Sequence, residues 1–152
     1  MPLDRSFIRV KAMLLAPDTD GTAHAVSLNP PTTENPLGYH RLVGGSVELG
    51  ETHRHAIRRE VREELGADVH DLELFEVVEN IFLIDGVVGH EVVFVHTGRL
   101  DPLPATTGAT LTESDGSVVP VVWRSLDDET EPLPLYPGVA GGWGARLRRR
   151  LR

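Results

Sequence analysis

The chain has 152 residues, a formal net charge of −8 and no cysteine. Its length fits one domain over residues 1–152, and the lack of cysteine excludes disulfides, thiolate metal sites and thiol nucleophiles. The negative charge disfavours a nucleic-acid polymer as partner, and no apolar run reaches the roughly 20 residues of a membrane span. We therefore expect a cytoplasmic protein with no membrane partner, either monomeric or a homodimer.

The first predicted elements are β-strands. Residues 6–16 alternate and then become fully apolar, as a strand entering a core does, and residues 22–29 are predicted to pair back on them as a hairpin. The proline-rich segment 30–38 lacks periodicity and is predicted to be a loop. Residues 39–43 form a short predicted strand that runs into Gly44 and Gly45.

A helix and a β-hairpin are predicted next. Residues 51–65 have helical spacing, and Gly66 is placed to cap the end of that helix. Two β-rich segments, 71–84 and 90–100, are separated by a predicted turn with the sequence "DGVVG". These connections are short, which favours antiparallel pairing in this part of the sheet.

The remaining elements complete an α/β pattern. Residues 117–123 read as a strand that Pro120 pushes towards a sheet edge or a bulge. Trp143, Leu147 and Leu151 are four residues apart, which predicts a C-terminal helix. Strands before, between and after helices predict an α/β sandwich with a mixed β-sheet.

The predicted helix 51–65 crowds three glutamates together. At about 100° per residue, one stripe must face the core: Ile57, Val61 and Leu65. The adjoining arc contains Arg59, Glu60, Glu63 and Glu64, with the small Ala56 among them. Carboxylates so arranged suit Mg²⁺ or Mn²⁺, which would remove a repulsion of about 0.2–0.5 kcal/mol per like-charge pair. The alternative is an ordinary solvated face in which Arg59 pairs with Glu63.

The spacing within residues 45–67 favours the metal site over the solvated face. Fixed intervals separate the following residues: Gly45, Glu51, Arg59, Glu60, Glu63, Glu64 and Gly66. In this pattern the chain strongly resembles the Nudix hydrolases, whose signature has the same residue type at each of these positions. The similarity predicts membership of that family, because so many specified positions at fixed spacing make a chance match remote.

The resemblance implies a fold, an activity and a set of metal ligands. The fold is the Nudix α/β/α sandwich, with a mixed sheet between helices, and the activity is that of a pyrophosphohydrolase. Glu60 and Glu64, together with Glu63, are implied to be catalytic and to hold Mg²⁺ or Mn²⁺. The backbone carbonyl of Gly44 is implied to be a further metal ligand.

The other fixed residues are expected to be structural. Gly45 allows the backbone to approach a ligand closely and to turn sharply into the helix. Glu51 is expected in the first helical turn, where negative charge suits the helix dipole, and lies close enough to Arg59 to pair with it. Gly66 ends the helix.

Candidate residues outside this signature are less specific. Arg41, on the same side of its strand as Tyr39, could bind a substrate phosphate through its planar guanidinium, although a surface arginine is equally compatible. A further site carboxylate stays open among Glu91, Glu113 and Asp115. The general base stays open among these three residues and Glu63. His53 and His55 occupy variable positions and are expected to be solvated.

Similarity outside residues 45–67 concerns the branch of the family. The strand "YHRLVGG" resembles the segment leading into the family's Leu-Pro-Gly-Gly, with Val43 in place of the proline. The segments "GHEVVFV", "VVWRSLDD" and "PLYP" resemble the ADP-ribose pyrophosphatase-like branch. Markers of several subtypes are absent, so ADP-ribose, nucleoside triphosphates and oxidised nucleotides all stay open as substrates.

The leading hypothesis is Mg²⁺-dependent hydrolysis of the diphosphate linkage in a small nucleoside diphosphate derivative by metal-activated water. The alternative is a non-catalytic nucleotide sensor on the same fold. Such proteins tend to lose signature glutamates, and this chain has lost none. The isomerase branch of the fold relies on a cysteine, which this chain lacks.

Overall fold

The computed structural model describes residues 7–150, which contain eight strands and two helices. In chain order the elements are β1 (Arg9–Leu15), β2 (Ala23–Asn29), β3 (Tyr39–Ser46), α1 (His53–Leu65), β4 (Asp68–Ile84), β5 (Val87–Asp101), β6 (Thr110–Thr112), β7 (Val118–Ser125), β8 (Leu135–Tyr136) and α2 (Gly142–Arg150). Segment 30–38 contains neither helix nor strand, as predicted. Neither helix in this part of the chain is long and apolar enough to cross a membrane.

The strands form one mixed sheet in the order β4-β5-β1-β3-β2-β7-β6, and β8 pairs with β3. The β1–β5 and β3–β8 pairs are parallel and the others are antiparallel, which confirms the predicted mixed sheet. The predicted β1–β2 hairpin is wrong, because β3 lies between these strands. Just after β1 ends, Pro17 forms an isolated bridge to His24 of β2. Hydrophobic alternation indicates which face of a strand is buried, but it does not choose the neighbouring strand.

The two helices cover opposite faces of the sheet. Ala12 and Leu14 of β1 pack in one core cluster with Ile57 of α1. Alternate residues of a strand point to opposite faces, and Met13 of the same strand accordingly packs in a second cluster with Trp143 of α2. This arrangement confirms the α/β/α sandwich. In the predicted C-terminal stripe, Trp143 is buried and Leu147 packs against the second cluster, whereas Leu151 lies outside the described residues.

The β4–β5 hairpin is longer than its sequence pattern indicates. Its turn contains only Asp85 and Gly86, both with positive φ (49° and 78°), where a five-residue turn had been predicted. Such φ values suit Asp-Gly in the two-residue turns that match strand twist. The short strands β6 and β8 were not predicted. Because β6 covers β7, β7 is not an edge strand, and Pro120 lies just outside the β2–β7 ladder, which reaches only to Val121.

Candidate active site

The Gly44–Gly45 pair at the end of β3 brings its backbone close to both β1 and α1. Gly44 has a φ of 143°, and a Cβ there would lie 2.7 Å from the Cα of Met13. A Cβ on Gly45 would lie 2.6 Å from Oε2 of Glu60. Gly44 therefore requires glycine for conformation and space, whereas a side chain at Gly45 would displace the Glu60 carboxylate. The pair places the Glu60 carboxylate directly against the backbone of β3.

Local capping fixes the two ends of α1. Thr52 is the N-cap, and its hydroxyl accepts a hydrogen bond from the backbone N–H of His55 at 3.1 Å. Gly66 is the C-cap in the left-handed conformation, with a φ of 63°, as predicted. Glu51 lies before the N-cap, so its predicted place in the first helical turn is wrong. The capping preference of Thr52 explains the later start of the helix.

Arg59 ties the loop before α1 to the helix glutamates. Its Nε and Nη2 donate to the two Glu51 carboxylate oxygens at 2.7 and 2.9 Å, and Nη2 also donates to the Ser46 carbonyl at 3.0 Å. The hydrogen bonds from Arg59 lower the pKa of Glu51 to about 2. Its Nη1 donates to Glu60 at 3.0 Å and to Glu63 at 3.1 Å. The predicted Glu51–Arg59 pair is present, and the guanidinium partly neutralises the crowded carboxylates.

Glu64 is the most unusual side chain of the helix. It is only 9% exposed, and its Oε1 atom is buried without a hydrogen-bond partner among the described residues. Burial, followed by the charges of Glu113 and Glu60, raises its pKa to about 9. Burial likewise raises the pKa of Glu60. An unpaired buried carboxylate oxygen costs free energy unless a ligand supplies the missing partner.

These residues fit a hard divalent cation. Mg²⁺ prefers carboxylate oxygens and water, and Glu64 presents a buried oxygen that lacks a partner beside the Glu60 and Glu113 carboxylates. Within residues 7–150, no three histidine or acidic side chains already form a complete metal-binding cluster. The Glu63 carboxylate is 60% exposed and accepts a hydrogen bond from Arg59 at 3.1 Å.

The structure separates the three candidates for the further carboxylate. Glu113 is close enough to Glu64 for its charge to raise the Glu64 pKa. Asp115 lies in the β6–β7 turn, where its carboxylate accepts hydrogen bonds from the Ser117 backbone N–H and hydroxyl at 2.9 and 2.6 Å. Glu91 is buried and already bound by other side chains. Of the three, Glu113 is best placed to act with Glu64.

Glu91 holds a pair of cations at the side of the site. Arg41 donates to its two carboxylate oxygens at 3.3 and 3.2 Å, Asn80 donates at 3.2 Å, and the Lys11 Nζ lies 3.9 Å away. Lys11 is 6% exposed and also donates to the Ser46 hydroxyl at 2.9 Å. Burial, together with the Arg41 charge, lowers the pKa of Lys11 to about 8. Sequence reasoning missed Lys11 and Asn80, although a lysine inside an apolar strand was a usable signal.

The positions of His53, His55 and Ala56 on α1 agree only partly with the predictions. His55 is exposed, as predicted, but His53 is half-buried and stacks on Phe94 with ring centroids 4.4 Å apart. Its Nδ1 lies 2.8 Å from Nε2 of the buried His96. The prediction of a solvated His53 is therefore wrong, because β5 passes beside the start of the helix. Ala56 is fully buried in the core rather than lying among the carboxylates.

Comparison with known proteins agrees with this fold. A model described as the NUDIX domain matches residues 18–141. The chain is similar to the MutT NUDIX hydrolase from Burkholderia pseudomallei, with 25% identity, a TM-score of 0.60, and coverage of 84% of this chain and 91% of that chain. The chain therefore belongs to the NUDIX domain family. No curated protein matches it in sequence.

Two further solved structures share the fold at lower identity. A NUDIX hydrolase from Nitrosomonas europaea has 19% identity, a TM-score of 0.56, and coverage of 80% of this chain and 75% of that one. The MutT protein from Methanosarcina mazei Go1 has 18% identity, a TM-score of 0.55, and coverage of 93% and 91%. The chain belongs to this family and is similar to solved hydrolases of the family. It is therefore a pyrophosphohydrolase that acts on nucleoside diphosphate compounds. Its placement in the ADP-ribose branch stays a prediction.

Proposed function

We propose that this chain hydrolyses the diphosphate linkage of a small nucleotide with the help of Mg²⁺, or of Mn²⁺ in its place. The observation that carries the proposal is the buried Glu64 oxygen without a partner, in a carboxyl group whose pKa is raised by burial and by the charges of Glu113 and Glu60. Such an arrangement costs stability in the metal-free protein and is compensated when a cation binds. The Glu64 oxygen that lacks a hydrogen-bond partner therefore supports a metal-binding role for the helix glutamates.

Each residue has a distinct part in the proposal. Glu60 and Glu64 would hold the cation with help from Glu63 and from the backbone carbonyl of Gly44. Arg59 and Glu51 keep the loop fixed against the helix, so that the Glu60 carboxylate stays over Gly45. When bound, Mg²⁺ offsets the charge of the diphosphate and lowers the pKa of the attacking water.

Arg41 and Glu113 would act on the substrate side. The Glu91 carboxylate fixes one edge of the Arg41 guanidinium, and the planar fork has further N–H groups suited to phosphate oxygens. Glu113, the further carboxylate close to Glu64, is our candidate for the group that accepts a proton from the attacking water. The proposal treats residues 1–152 as one catalytic domain with a small nucleotide as its partner.

A single substitution tests the metal assignment. Glu64→Gln keeps the shape of the side chain but cannot form the carboxylate that would hold a cation, so turnover of a nucleotide substrate should fall at least about 100-fold with the fold intact. The matched control is Glu73→Gln, which neutralises an exposed glutamate on β4 and should leave turnover unchanged. Near-normal activity of Glu64→Gln in Mg²⁺, measured as phosphate or nucleotide release, would contradict the assignment.

The cleaved bond can be tested separately. We expect ADP-ribose or a nucleoside triphosphate to be hydrolysed, with a nucleoside monophosphate as one product, whereas AMP, which lacks a diphosphate, should not react. Hydrolysis in ¹⁸O-water should place the label on a phosphate product, because water attacks phosphorus directly. Release of free base or sugar with the diphosphate intact would show that another bond is broken. Activity that survives EDTA would argue against a metal.

A further inference from the structure

A buried lysine lies where the sheet meets the loop that leads into α1. Lys11 is on β1, the strand between β5 and β3, and is only 6% exposed. It is paired with Val93 of β5 on one side and with Ser46 of β3 on the other. Lysine is almost never fully buried unless its charge is paired. The sheet therefore holds this ammonium group at a cost in hydration.

The Lys11 ammonium group contacts both halves of the proposed site. On the metal side, Nζ donates to the Ser46 hydroxyl at 2.9 Å, and the Ser46 carbonyl accepts from Arg59 of α1 at 3.0 Å. On the substrate side, Nζ lies 3.9 Å from Oε2 of Glu91, the carboxylate that holds Arg41. Lys11 thus joins the loop before α1 to the group that orients Arg41.

The charges around Glu91 do not balance. Glu91 is 4% exposed, and its single negative charge is shared by Arg41, at 3.2 Å, and by Lys11. Asn80, which also donates to Glu91, is neutral. Lys11 is largely protonated at pH 7, because burial, followed by the Arg41 charge, lowers its pKa only to about 8. The two cations and one carboxylate therefore carry one positive charge in excess.

This excess charge reaches the helix glutamates. Burial raises the Glu60 pKa, and the Lys11 charge is among the effects that oppose the rise. Burial also raises the Glu64 pKa, and the Arg41 charge opposes that rise. Because like charges repel, the same two cations disfavour a bare Mg²⁺ at these glutamates and attract the oxygens of a diphosphate.

We propose that Lys11 is a positioning residue whose buried charge makes the site favour a cation that arrives with a diphosphate over a bare cation. This inference rests on the proposed function for the places of the metal and the diphosphate. Lys11 acts through Glu91, because it shares that carboxylate with Arg41 and so leaves part of the Arg41 charge available to phosphate oxygens. A bound diphosphate neutralises the excess charge and removes the repulsion that a bare cation meets.

Removing the buried charge should move two affinities in opposite directions. Lys11→Met keeps an unbranched side chain but has no charge. In calorimetric titrations without nucleotide, this variant should bind Mg²⁺ about 3- to 10-fold more tightly than the wild type, because a repulsion is lost. In saturating Mg²⁺, it should bind methylene-ADP, in which CH₂ replaces the bridging oxygen, about 10-fold more weakly, as expected for a unit charge roughly 10 Å away.

Two further variants separate the charge of Lys11 from its place in the core. Lys11→Arg keeps the positive charge, so both affinities should stay within about 3-fold of the wild type. Arg99→Met removes the same charge from β5, where the side chain is 59% exposed, and should change neither affinity. The Tm of each variant shows whether the fold is retained. If the larger guanidinium does not fit, the two shifts in Lys11→Met still decide.

The signs of the two changes decide the inference. A purely structural role for Lys11 would weaken Mg²⁺ and methylene-ADP binding together, and that result would overturn the inference. Unchanged affinities in Lys11→Met, or a wild-type protein that binds neither ligand, would overturn it as well.

These titrations need no turnover, so they also distinguish the inference from the proposed function. If nucleotides are hydrolysed but Lys11→Met shifts neither affinity, the proposed function stands and the role of Lys11 is wrong. If the opposite shifts appear but no diphosphate is cleaved, the role of Lys11 stands and the proposed hydrolysis is wrong.

Discussion

Glu64→Gln should stabilise the metal-free protein, although the same change should lower turnover at least about 100-fold. In the folded chain the Glu64 pKa is raised from 4.5 to about 9, chiefly by burial, so the carboxyl group stays protonated at neutral pH. In the unfolded chain it ionises. The 2.5-unit interval from 4.5 to pH 7 corresponds to about 3 kcal/mol of lost unfolding free energy, at about 1.36 kcal/mol per unit. Glutamine never ionises and avoids this loss.

The raised Glu64 pKa also predicts how the free energy of unfolding changes with pH. Between pH 4.5 and about 9 the folded state binds more protons than the unfolded state, so the stability of the wild-type protein should fall as pH rises. The Glu64→Gln curve should be flatter, and the two proteins should converge below pH 4.5. A gain of about 3 kcal/mol corresponds to a rise in Tm of about 6–12 °C for a chain of this size.

Urea denaturation in EDTA at several pH values measures this difference. Glu63→Gln is the matched control on the same helix, because its carboxylate is 60% exposed and its neutralisation should bring no such gain. Millimolar Mg²⁺ should raise the Tm of the wild-type protein and should raise that of Glu64→Gln less, since a ligand that binds only the folded state stabilises it. Equal stability of wild type and Glu64→Gln in EDTA across this pH range would refute the reasoning.

Two further predictions concern the backbone and the loop before α1. Gly44→Ala should lower the Tm strongly, because a φ of 143° and the nearby Met13 Cα leave no space for a Cβ. Gly50→Ala, at a φ of 84° in open space, should cost only about 1–2 kcal/mol, and equal losses at both positions would contradict the steric argument. Hydrogen bonds from Arg59 lower the Glu51 pKa to about 2, so the stability that Glu51 contributes should be lost as pH falls from 4.5 towards 2. Glu51→Gln should therefore flatten the acid side of the stability curve in chemical denaturation, and acid sides that superimpose would show that this pair contributes nothing.

The sequence by itself determined the local features of this protein. The interval between Ile57 and Val61 predicted the buried face of α1, and Gly66 marked its end, because helix period and cap conformation depend on residues a few positions apart. The same short-range spacing identified the family and the Glu51–Arg59 pair. Alternating apolar runs also predicted strand segments, although the strands of the structure begin and end a few residues away from the predicted limits.

Only the tertiary structure decided which distant segments meet. It placed β3 between β1 and β2, brought the charge of Glu113 near Glu64, and put Lys11 beside the buried Glu91. Strand partners depend on the packing of both sheet faces, which no local pattern encodes. The unusual chemistry of Glu64 arises in the same way, because its raised pKa reflects burial and neighbouring charges that exist only after the chain has folded.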